Sequence, residues 1–444
     1  MTTYSAVVTT GIYCRPGCGA RPLAQNVRVF DHPAAAEAAG FRACHRCRPY
    51  RVAGPVPATA PDLVCSAVQL IIGGALDDGG TEASLARQVG LSARHLRRLF
   101  LLYLGASPDQ LARSRRAHFA RRLLDDTDLS VLDIAFASGF GSLRQFNRTM
   151  QEVFRASPTG LRRRRRQADR LVADGGLALR LPTVPGYDWD ATRALLAARR
   201  MPGVEAFDGG TYRRTITVAG APGLLEVSPG DHGYLLVHVH LPYWEGLIHV
   251  VGRVAQLLGT ERDQSAGVAA LSGDPVLGPL VTARPGLAVP GTWNPAETGI
   301  WEILSGHPDR DRLLSALVAE LGTPVPGLPG GLTHAFPGAP TVTCSDLAAI
   351  GFPPAETCAI VRLATALADG NSHTTGGSYL AFRMDRRDAF PLEEPSLRAA
   401  LAELGLAAPA RAWQPWLALA AVHLMAYGDD LRLADRLVTG ALAP

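Results

Sequence analysis

Between residues 62 and 166 apolar positions recur at spacings of three and four, the period of an amphipathic helix. Two segments of this block repeat one plan. Thr81-Glu82-Ala83-Ser84-Leu85-Ala86 opens a short helix, Val89-Gly90-Leu91-Ser92 makes a tight turn, and ARHLRRLFLLYLG continues as a second helix. LSVLDIAFASGFGSLRQFNRTMQEVF follows the same scheme, with Ser138-Gly139-Phe140-Gly141-Ser142 as its turn. In each turn a glycine can take the positive φ of the reversal, and a serine can cap the helix that follows. Each segment predicts a helix-turn-helix unit whose second helix is available to the major groove of DNA. From Leu177 the pattern shifts to alternation and β-branched runs. LALRLP, TYRRTITVAG, GLLEVSPG and YLLVHVHLP predict a small antiparallel sheet. After Trp244 helical spacing returns, most clearly in WEGLIHVVGRVAQLLG, DRLLSALVAELG, ETCAIVRLATALADG, SLRAALAELG and WQPWLALAAVHLMAYG.

The breaks in pattern set the expected domains. Residues 1–52 form a small α/β module, 62–166 an all-α domain, 177–243 the sheet and 244–444 a helical domain, a multidomain α+β chain. RVAGPVPATAP, rich in Pro and Ala and without period, makes 53–61 a linker, and 167–176 is a second one. A chain of 444 residues, 47% hydrophobic, is long enough for about three cores. No run approaches the ~20 apolar residues of a membrane span, and Met1 opens no signal peptide. A cytoplasmic, membrane-free location is expected.

Charge sharpens this picture. The formal +4 conceals 26 arginines against 14 carboxylates in residues 1–180, and 18 against 26 in the remainder. The basic half is the one expected to meet phosphate. On the second helices of the two units Arg94, His95, Arg97 and Arg98, then Arg144, Gln145, Asn147 and Arg148, fall between apolar positions such as Leu96, Leu99, Phe100, Phe146, Met150 and Phe154. Arginine suits guanine and phosphate, while Gln and Asn suit adenine edges. The run Arg162 to Arg166 fits a phosphate contact or a charged linker equally. All 44 basic residues are Arg, which excludes lysine Schiff-base chemistry.

The first module carries Cys14 and Cys18 as a C-x3-C pair and Cys44 and Cys47 as a C-x2-C pair. Four thiols in two close couples suit one tetrahedral Zn2+, and two disulfides of a secreted domain are the other outcome of such spacing. The missing signal peptide favours zinc, structural or chemical. Cys65, Cys344 and Cys358 lack partners at metal spacing and read as core thiols. His238 and His240 share one face of the last strand without a third ligand.

TTGIYCRPGC, followed by AAAEAAGFRACHRCRP, resembles the zinc domain of Ada, the adaptive-response family of alkylation repair. The tandem helix-turn-helix block resembles the AraC-type DNA-binding domain. The part beginning PGYDWDATRALLAARRMPGVE looks like AlkA, a 3-methyladenine DNA glycosylase of the helix-hairpin-helix superfamily, so the whole is similar to Ada-AlkA fusions. The resemblance implies that Cys14 takes a methyl group from a DNA methylphosphotriester in a stoichiometric, suicidal reaction. Cys18, Cys44 and Cys47 complete the zinc site. Alkylated and promoter DNA and RNA polymerase are the implied partners. The lead-in of residues 1–8 is shorter than the resemblance implies, matching a late start or loss of a first helix.

The glycosylase-like part departs from its family. Glu394 in RRDAFPLEEPSLRAAL falls on the family's catalytic Asp, one methylene longer and followed by Pro395. The family's glycine hairpin is replaced by GNSHTTGGSY over 370–379, and Ser305-Gly306-His307-Pro308-Asp309 stands where the DNA wedge is expected, His307 in the place of the intercalating side chain. Tyr379 and Trp413 match base-stacking positions or are ordinary core aromatics. Three functions remain open: a methyl-accepting regulator with an impaired glycosylase part, an active monofunctional glycosylase using Glu394, and a regulator whose zinc is structural.

Overall fold

The computed structural model describes residues 3–20, 22–51, 60–77, 79–166, 169–171, 176–231, 233–325, 327–338, 342–368, 377–384 and 386–438, with 435–438 described by backbone only. Most of the first expected linker, 53–59, most of the second, 167–168 and 172–175, and most of the altered hairpin, 370–376, lie outside these residues. The chain divides into two compact units. One comprises 1–184, 230–255 and 260–263, the other 185–229, 256–259 and 264–444.

The first unit opens with strands β1 (Tyr4–Val7), β2 (Ile12–Cys14), β3 (Val27–Phe30) and β4 (Arg42–Ala43), in the order β3-β1-β2-β4, with helix α1 (Pro33–Ala38) before β4. β1 is antiparallel to β2 and β3, and β4 runs parallel to β2. Then come α2 (Asp62–Ile72), α3 (Glu82–Gln88), α4 (Ala93–Leu104), α5 (Pro108–Asp126), α6 (Val131–Ala137), α7 (Leu143–Phe154) and α8 (Pro158–Arg163). Local chemistry explains the boundaries. Thr81 and Ser84 form a capping box on α3, Ser92 caps α4, Ser107 and Gln110 box the start of α5, and Ser130, Ser142 and Ser157 cap α6, α7 and α8. Gly90 (φ +72°) and Gly139 (φ +75°) turn the chain between the paired helices, as the pattern predicts. Leu85, Leu96, Phe100, Leu104 and Leu111 join one core, and Phe146, Met150 and Phe154 are buried in the second unit of the repeat.

Onward the chain runs through β5 (Leu177–Pro182), α9 (Trp189–Ala197), β6 (Glu205–Asp208), β7 (Thr211–Val218), β8 (Ala221–Pro229), β9 (Tyr234–His240) and α10 (Leu247–Leu258). In the first unit β5 pairs antiparallel with β9. Leu235, Val237 and Val239 are buried, and His238 and His240 lie half-buried on the opposite face. In the second unit β6, β7 and β8 form an antiparallel meander. β6 and α9 were not among the elements predicted by periodicity.

The second unit continues with α11 (Ser265–Leu271), α12 (Leu277–Ala283), α13 (Pro295–Ile303), α14 (Arg310–Leu321), the short pair β10 (Thr323–Pro324) and β11 (His334–Ala335), α15 (Cys344–Ile350), α16 (Pro354–Ala368), α17 (Ser378–Arg383), α18 (Pro395–Glu403) and α19 (Leu417–Val438). Its core draws Trp301, Leu313, Leu317, Ile360, Phe382, Leu397, Trp413 and Met425 together. α18 and α19 approach closely at Gly428, where a Cβ would sit 1.8 Å from the Ser396 carbonyl oxygen. No helix of the described residues is long and apolar enough to cross a membrane.

Of the three isolated cysteines, half-buried Cys65 packs against the core as expected, whereas Cys344 and Cys358 are exposed and are not core thiols. Cys344 occupies the first turn of α15, and Cys358 lies one position past Thr357 on the buried stripe Thr357-Ile360-Leu363 of α16.

His249 of α10 pins the end of α2 in the first unit. Its Nδ1 is 2.8 Å from the Ile72 carbonyl oxygen and its Nε2 is 2.7 Å from Asp77 Oδ2. Arg116 of α5 also binds Asp77 and donates to the Leu76 carbonyl. Two acceptors for two ring nitrogens call for an imidazolium. Burial alone lowers the His249 pKa, but bonding to Asp77 and Ile72 wins and the net shift is upward, against the opposing charge of Arg116. A raised folded-state pKa stabilises fully below the ordinary value of about 6.5 and is lost as pH rises through the folded value. His249→Ala should therefore destabilise the first unit more at pH 6 than at pH 9, as read by urea unfolding at both pH values.

Candidate metal centre and nucleic-acid interface

Parallel pairing of β2 with β4 places Tyr13 beside Ala43, so the next residues, Cys14 and Cys44, leave the two strands at the same end. The Cys44 N–H donates to the Tyr13 carbonyl at 3.0 Å, and the Arg48 N–H closes the Cys44–Cys47 loop onto the Cys44 carbonyl at 3.0 Å. Cys18 returns on the loop after β2. The four Sγ atoms all lie within 4.8 Å of one another, the one such cluster of three or more potential ligands among the described residues. Tetrahedral zinc with Zn–S bonds of about 2.3 Å needs sulfurs about 3.8 Å apart, so the cluster has the dimensions and donor set for Zn2+. Cys14 is 7% exposed, whereas Cys18, Cys44 and Cys47 are half-buried.

Two buried polar clusters key this module to α5. The Tyr13 hydroxyl donates to Glu37 Oε1 at 2.6 Å, and His118 Nε2 lies 2.6 Å from the same oxygen. Burial raises the Glu37 pKa, but the His118 charge and hydrogen bonds from His118, Tyr13 and Ser114 leave it lowered overall. At the other end of α5 the Tyr50 hydroxyl donates to Asp125 at 2.9 Å, Arg51 donates to Asp126 at 2.8 Å, and Arg48 pairs with Asp169 at 2.7 Å. Spacing rules do not see this anchoring, because its partners are 75 to 121 positions apart in sequence for Asp125, Asp126 and Asp169. Helix α7 also packs against β4.

The second helices of the repeat are placed as expected. Arg94, His95, Arg97 and Arg98 on α4 are exposed, with Leu96 and Phe100 buried and Leu99 half-buried. On α7 Arg144, Gln145, Asn147 and Arg148 are exposed around buried Phe146 and Met150. Each helix thus presents an exposed polar face on a rigid apolar base.

In the second unit the candidate carboxylate is already engaged. Glu394 caps α18, one oxygen accepting the Leu397 N–H at 2.8 Å and the other accepting from Arg199 at 2.7 Å. Arg199 also donates to Asp429 at 2.8 Å. Arg214, on the buried face of β7 with Tyr212 and Ile216, donates to both Glu297 oxygens at 3.1 and 2.8 Å and stacks over Trp293. Arg383 donates to the Tyr379 hydroxyl and the Gly291 carbonyl, each at 2.8 Å. Arg199, Arg214, Glu297, Tyr379 and Arg383 line a cavity of about 20 Å³, room for roughly one water. Tyr379 is 3% and Trp413 1% exposed. Tyr379 borders the cavity and packs on Trp301, and Trp413 lies in the core with its Nε1 donating to Asp274 at 2.9 Å. The start of α17, just past the altered hairpin, has its Tyr379 and Leu380 N–H groups bound by the Glu302 carboxylate at 2.7 and 3.0 Å. His307 is half-buried and its Nδ1 accepts the Asp309 N–H at 3.0 Å. The inward arginines escaped the sequence reading. Arg214, two positions from Tyr212 and Ile216, was the one with a periodic signal.

Comparison with known proteins agrees with this division of labour. Residues 2–50 match the family described as the metal binding domain of Ada, 85–164 a helix-turn-helix domain, and 178–294 the AlkA N-terminal domain. A probable bifunctional transcriptional activator/DNA repair enzyme AlkA of Mycobacterium tuberculosis is 35% identical over 456 aligned positions, covering 94% of this chain and 91% of that protein. The bifunctional transcriptional activator/DNA repair enzyme Ada of Escherichia coli is 34% identical over 149 residues, covering 33% of this chain and 41% of its own. AdaA of Bacillus subtilis is 30% identical over 148 residues, 32% of this chain and 66% of its own. The four-cysteine cluster within the Ada metal-binding match is a Zn2+ site, and the segment 85–164 is a DNA-binding helix-turn-helix domain. With similarity to the M. tuberculosis protein running through nearly the whole sequence, the chain belongs to the Ada-AlkA family of bifunctional transcriptional activators and DNA repair enzymes.

Proposed function

We propose that this chain is an adaptive-response regulator that accepts one methyl group from a DNA methylphosphotriester onto Cys14, irreversibly, and reads promoter DNA through α4 and α7. The observation that carries the reading is the convergence of four sulfurs within 4.8 Å at the paired ends of β2 and β4, with Cys14 contributed by the strand. Zinc, when bound by Cys14, Cys18, Cys44 and Cys47, keeps all four as thiolates at neutral pH. The Cys14 sulfur attacks the methyl carbon, an S–C bond forms, and the C–O bond breaks, its electron pair leaving with the phosphate as an ordinary diester anion. The product thioether is neutral, so the centre loses one negative charge beside the DNA backbone, which favours promoter binding. RNA polymerase is the partner implied by the activator role.

Duplex DNA carrying isotopically labelled methylphosphotriesters tests this directly. One label per chain, retained without turnover, and tighter promoter binding afterwards are expected. Bound zinc with no label would leave a regulator whose zinc is structural.

The glycosylase-like part is proposed to be impaired. Both Glu394 oxygens are engaged, the cavity lined by its partner Arg199 and by Tyr379 is far below the ~300 Å³ of an ordinary ligand pocket, and Glu302 holds the N–H groups of α17 that a phosphate would otherwise approach. Methylated DNA incubated with the full chain should therefore show heat-labile abasic sites at background level, unchanged by Glu394→Gln. Abasic sites that appear with the wild-type chain and vanish with that variant would establish the active glycosylase instead.

A further inference from the structure

Tyr13 is the residue from which Cys14 and Cys44 both hang. Cys14 follows it as the last residue of β2, and its carbonyl oxygen accepts the Cys44 N–H at 3.0 Å. Successive side chains of a strand point to opposite faces, so Tyr13 is directed away from the face that carries Cys14. There it is fully buried, edge-on to Tyr4 with ring centres 6.1 Å apart. Its hydroxyl donates to Glu37 Oε1 at 2.6 Å, and His118 Nε2 lies 2.6 Å from that oxygen and 3.1 Å from the hydroxyl. An ionised carboxylate offers only acceptors, so Nε2 carries the proton that Glu37 receives. His118 belongs to α5 of the helix-turn-helix domain, not to the zinc module. Its ring is fixed in turn by Tyr50, at 6.5 Å, and by Phe154, the buried last residue of α7, at 5.9 Å. Helix α1, which carries Glu37, packs on α5. It also lies so near the turn before α5 that a Cβ on Gly105 would sit 2.8 Å from the Ala35 Cβ. Buried polar networks of this kind fix position, because each donor must meet its acceptor in one geometry.

We propose that His118 and Glu37 are positioning residues for methyl transfer: through the Tyr13 hydroxyl they fix the end of β2, so that the helix-turn-helix domain holds the Cys14 sulfur in line with the methyl carbon. The inference deepens the methyl-transfer reading above and rests on it. It makes the helix-turn-helix domain a participant in repair by packing alone, with α7 and Cys14 at the two ends of one series Phe154, His118, Glu37, Tyr13.

Single-turnover methyl uptake by the zinc-loaded full chain, followed against the concentration of methylphosphotriester duplex, tests the assignment. His118→Ala should lower the saturating rate roughly tenfold, less than the ~10²-fold of a 1 Å misplacement. The final extent of uptake, the zinc content and the DNA concentration at half-maximal rate should hold. Tyr13→Phe, which leaves Glu37 bound to His118 but frees the strand, should match it. His118→Gln can place an amide N–H near the position of Nε2 and should recover most of the rate. His118→Phe fills the space beside Tyr50 and Phe154 without a donor and should not. Hydrogen exchange of the peptide carrying β2 should quicken in the Ala and Phe variants but not in the Gln variant, a readout that needs no methyl transfer. Rescue by Phe and not by Gln would overturn the proposal in favour of plain packing. A wild-type rate in His118→Ala, or a loss of rate that only follows a loss of zinc, would overturn it too. A wild-type chain that accepts no methyl overturns the underlying reading, and the role toward Cys14 with it, whatever hydrogen exchange shows.

Discussion

Cys14→Ala is expected to abolish methyl uptake from methylphosphotriester DNA, while Cys344→Ala, at an exposed position on α15, takes up methyl at the wild-type level. The loss should be complete because the reaction has no route around the nucleophile. The chain contains no lysine, and the other three cysteines of the cluster lie in loops outside β2. The variant keeps three of four sulfurs, so zinc binding weakens. Because metal binding and folding of such modules are linked, with apparent energies of about 10–16 kcal/mol for structural zinc, uptake is to be measured at zinc concentrations that restore wild-type metal content. Uptake that persists in Cys14→Ala under those conditions would assign the chemistry to another residue.

The second large effect is on stability. Arg214→Ala should destabilise the glycosylase-like unit by about 3–5 kcal/mol, the usual consequence of stripping one partner from a buried ion pair. Arg214 is 1% and Glu297 6% exposed, and Glu205 accepts from Arg214 and from the Tyr212 hydroxyl. Burial works against the guanidinium, but Glu297 foremost, with Tyr212 and Glu205, raises its pKa overall. Burial likewise raises the Glu297 pKa, against the pull of Arg214 and with the push of Glu205. Removing Arg214 takes the guanidinium that Glu297 and Glu205 share out of a buried site. Replacing Arg214 by Met and Glu297 by Leu together should cost less than the single change, because the most buried carboxylate leaves with its partner while Glu205 keeps the Tyr212 hydroxyl and the Met201 N–H. Urea unfolding of the two variants checks the contrast. Equal destabilisation by both would show that packing, not charge, governs this core. Methyl uptake should be the same in both variants.

The parts of the molecule legible in the sequence are those encoded by short-range chemistry. The two turns with Gly90 and Gly139, and the caps at Ser92 and Ser142, each lie within a few residues of the helices they delimit, and exposed Arg94, His95, Arg97, Arg98, Arg144, Gln145, Asn147 and Arg148 follow from helical period alone. The cysteine couples were legible for the same reason. What joins the couples was not. The parallel pairing of β2 with β4 relates residues 30 positions apart, and the contacts of Glu37 with His118 and of Tyr50 with Asp125 are longer still. The exposure of Cys344 and Cys358 shows the opposite error, in which residue type suggested burial and the helix face decided otherwise. The buried arginines of the second unit lie in otherwise apolar patterns, where their carboxylate partners can be found only in three dimensions.

In the glycosylase-like unit the polar groups at the candidate site are satisfied internally. Arg199 and the N–H of Leu397 satisfy Glu394, Glu302 satisfies the start of α17, and the cavity beside Tyr379 has room for about one water.

The most direct test of the central claim is peptide mapping by mass spectrometry after the zinc-loaded chain has met duplex DNA with methylphosphotriesters and no methylated bases. The account predicts a single added methyl group, on the peptide carrying Cys14, at up to one per chain. Methyl on Cys18, Cys44 or Cys47, or on none of the four with zinc fully bound, would contradict it.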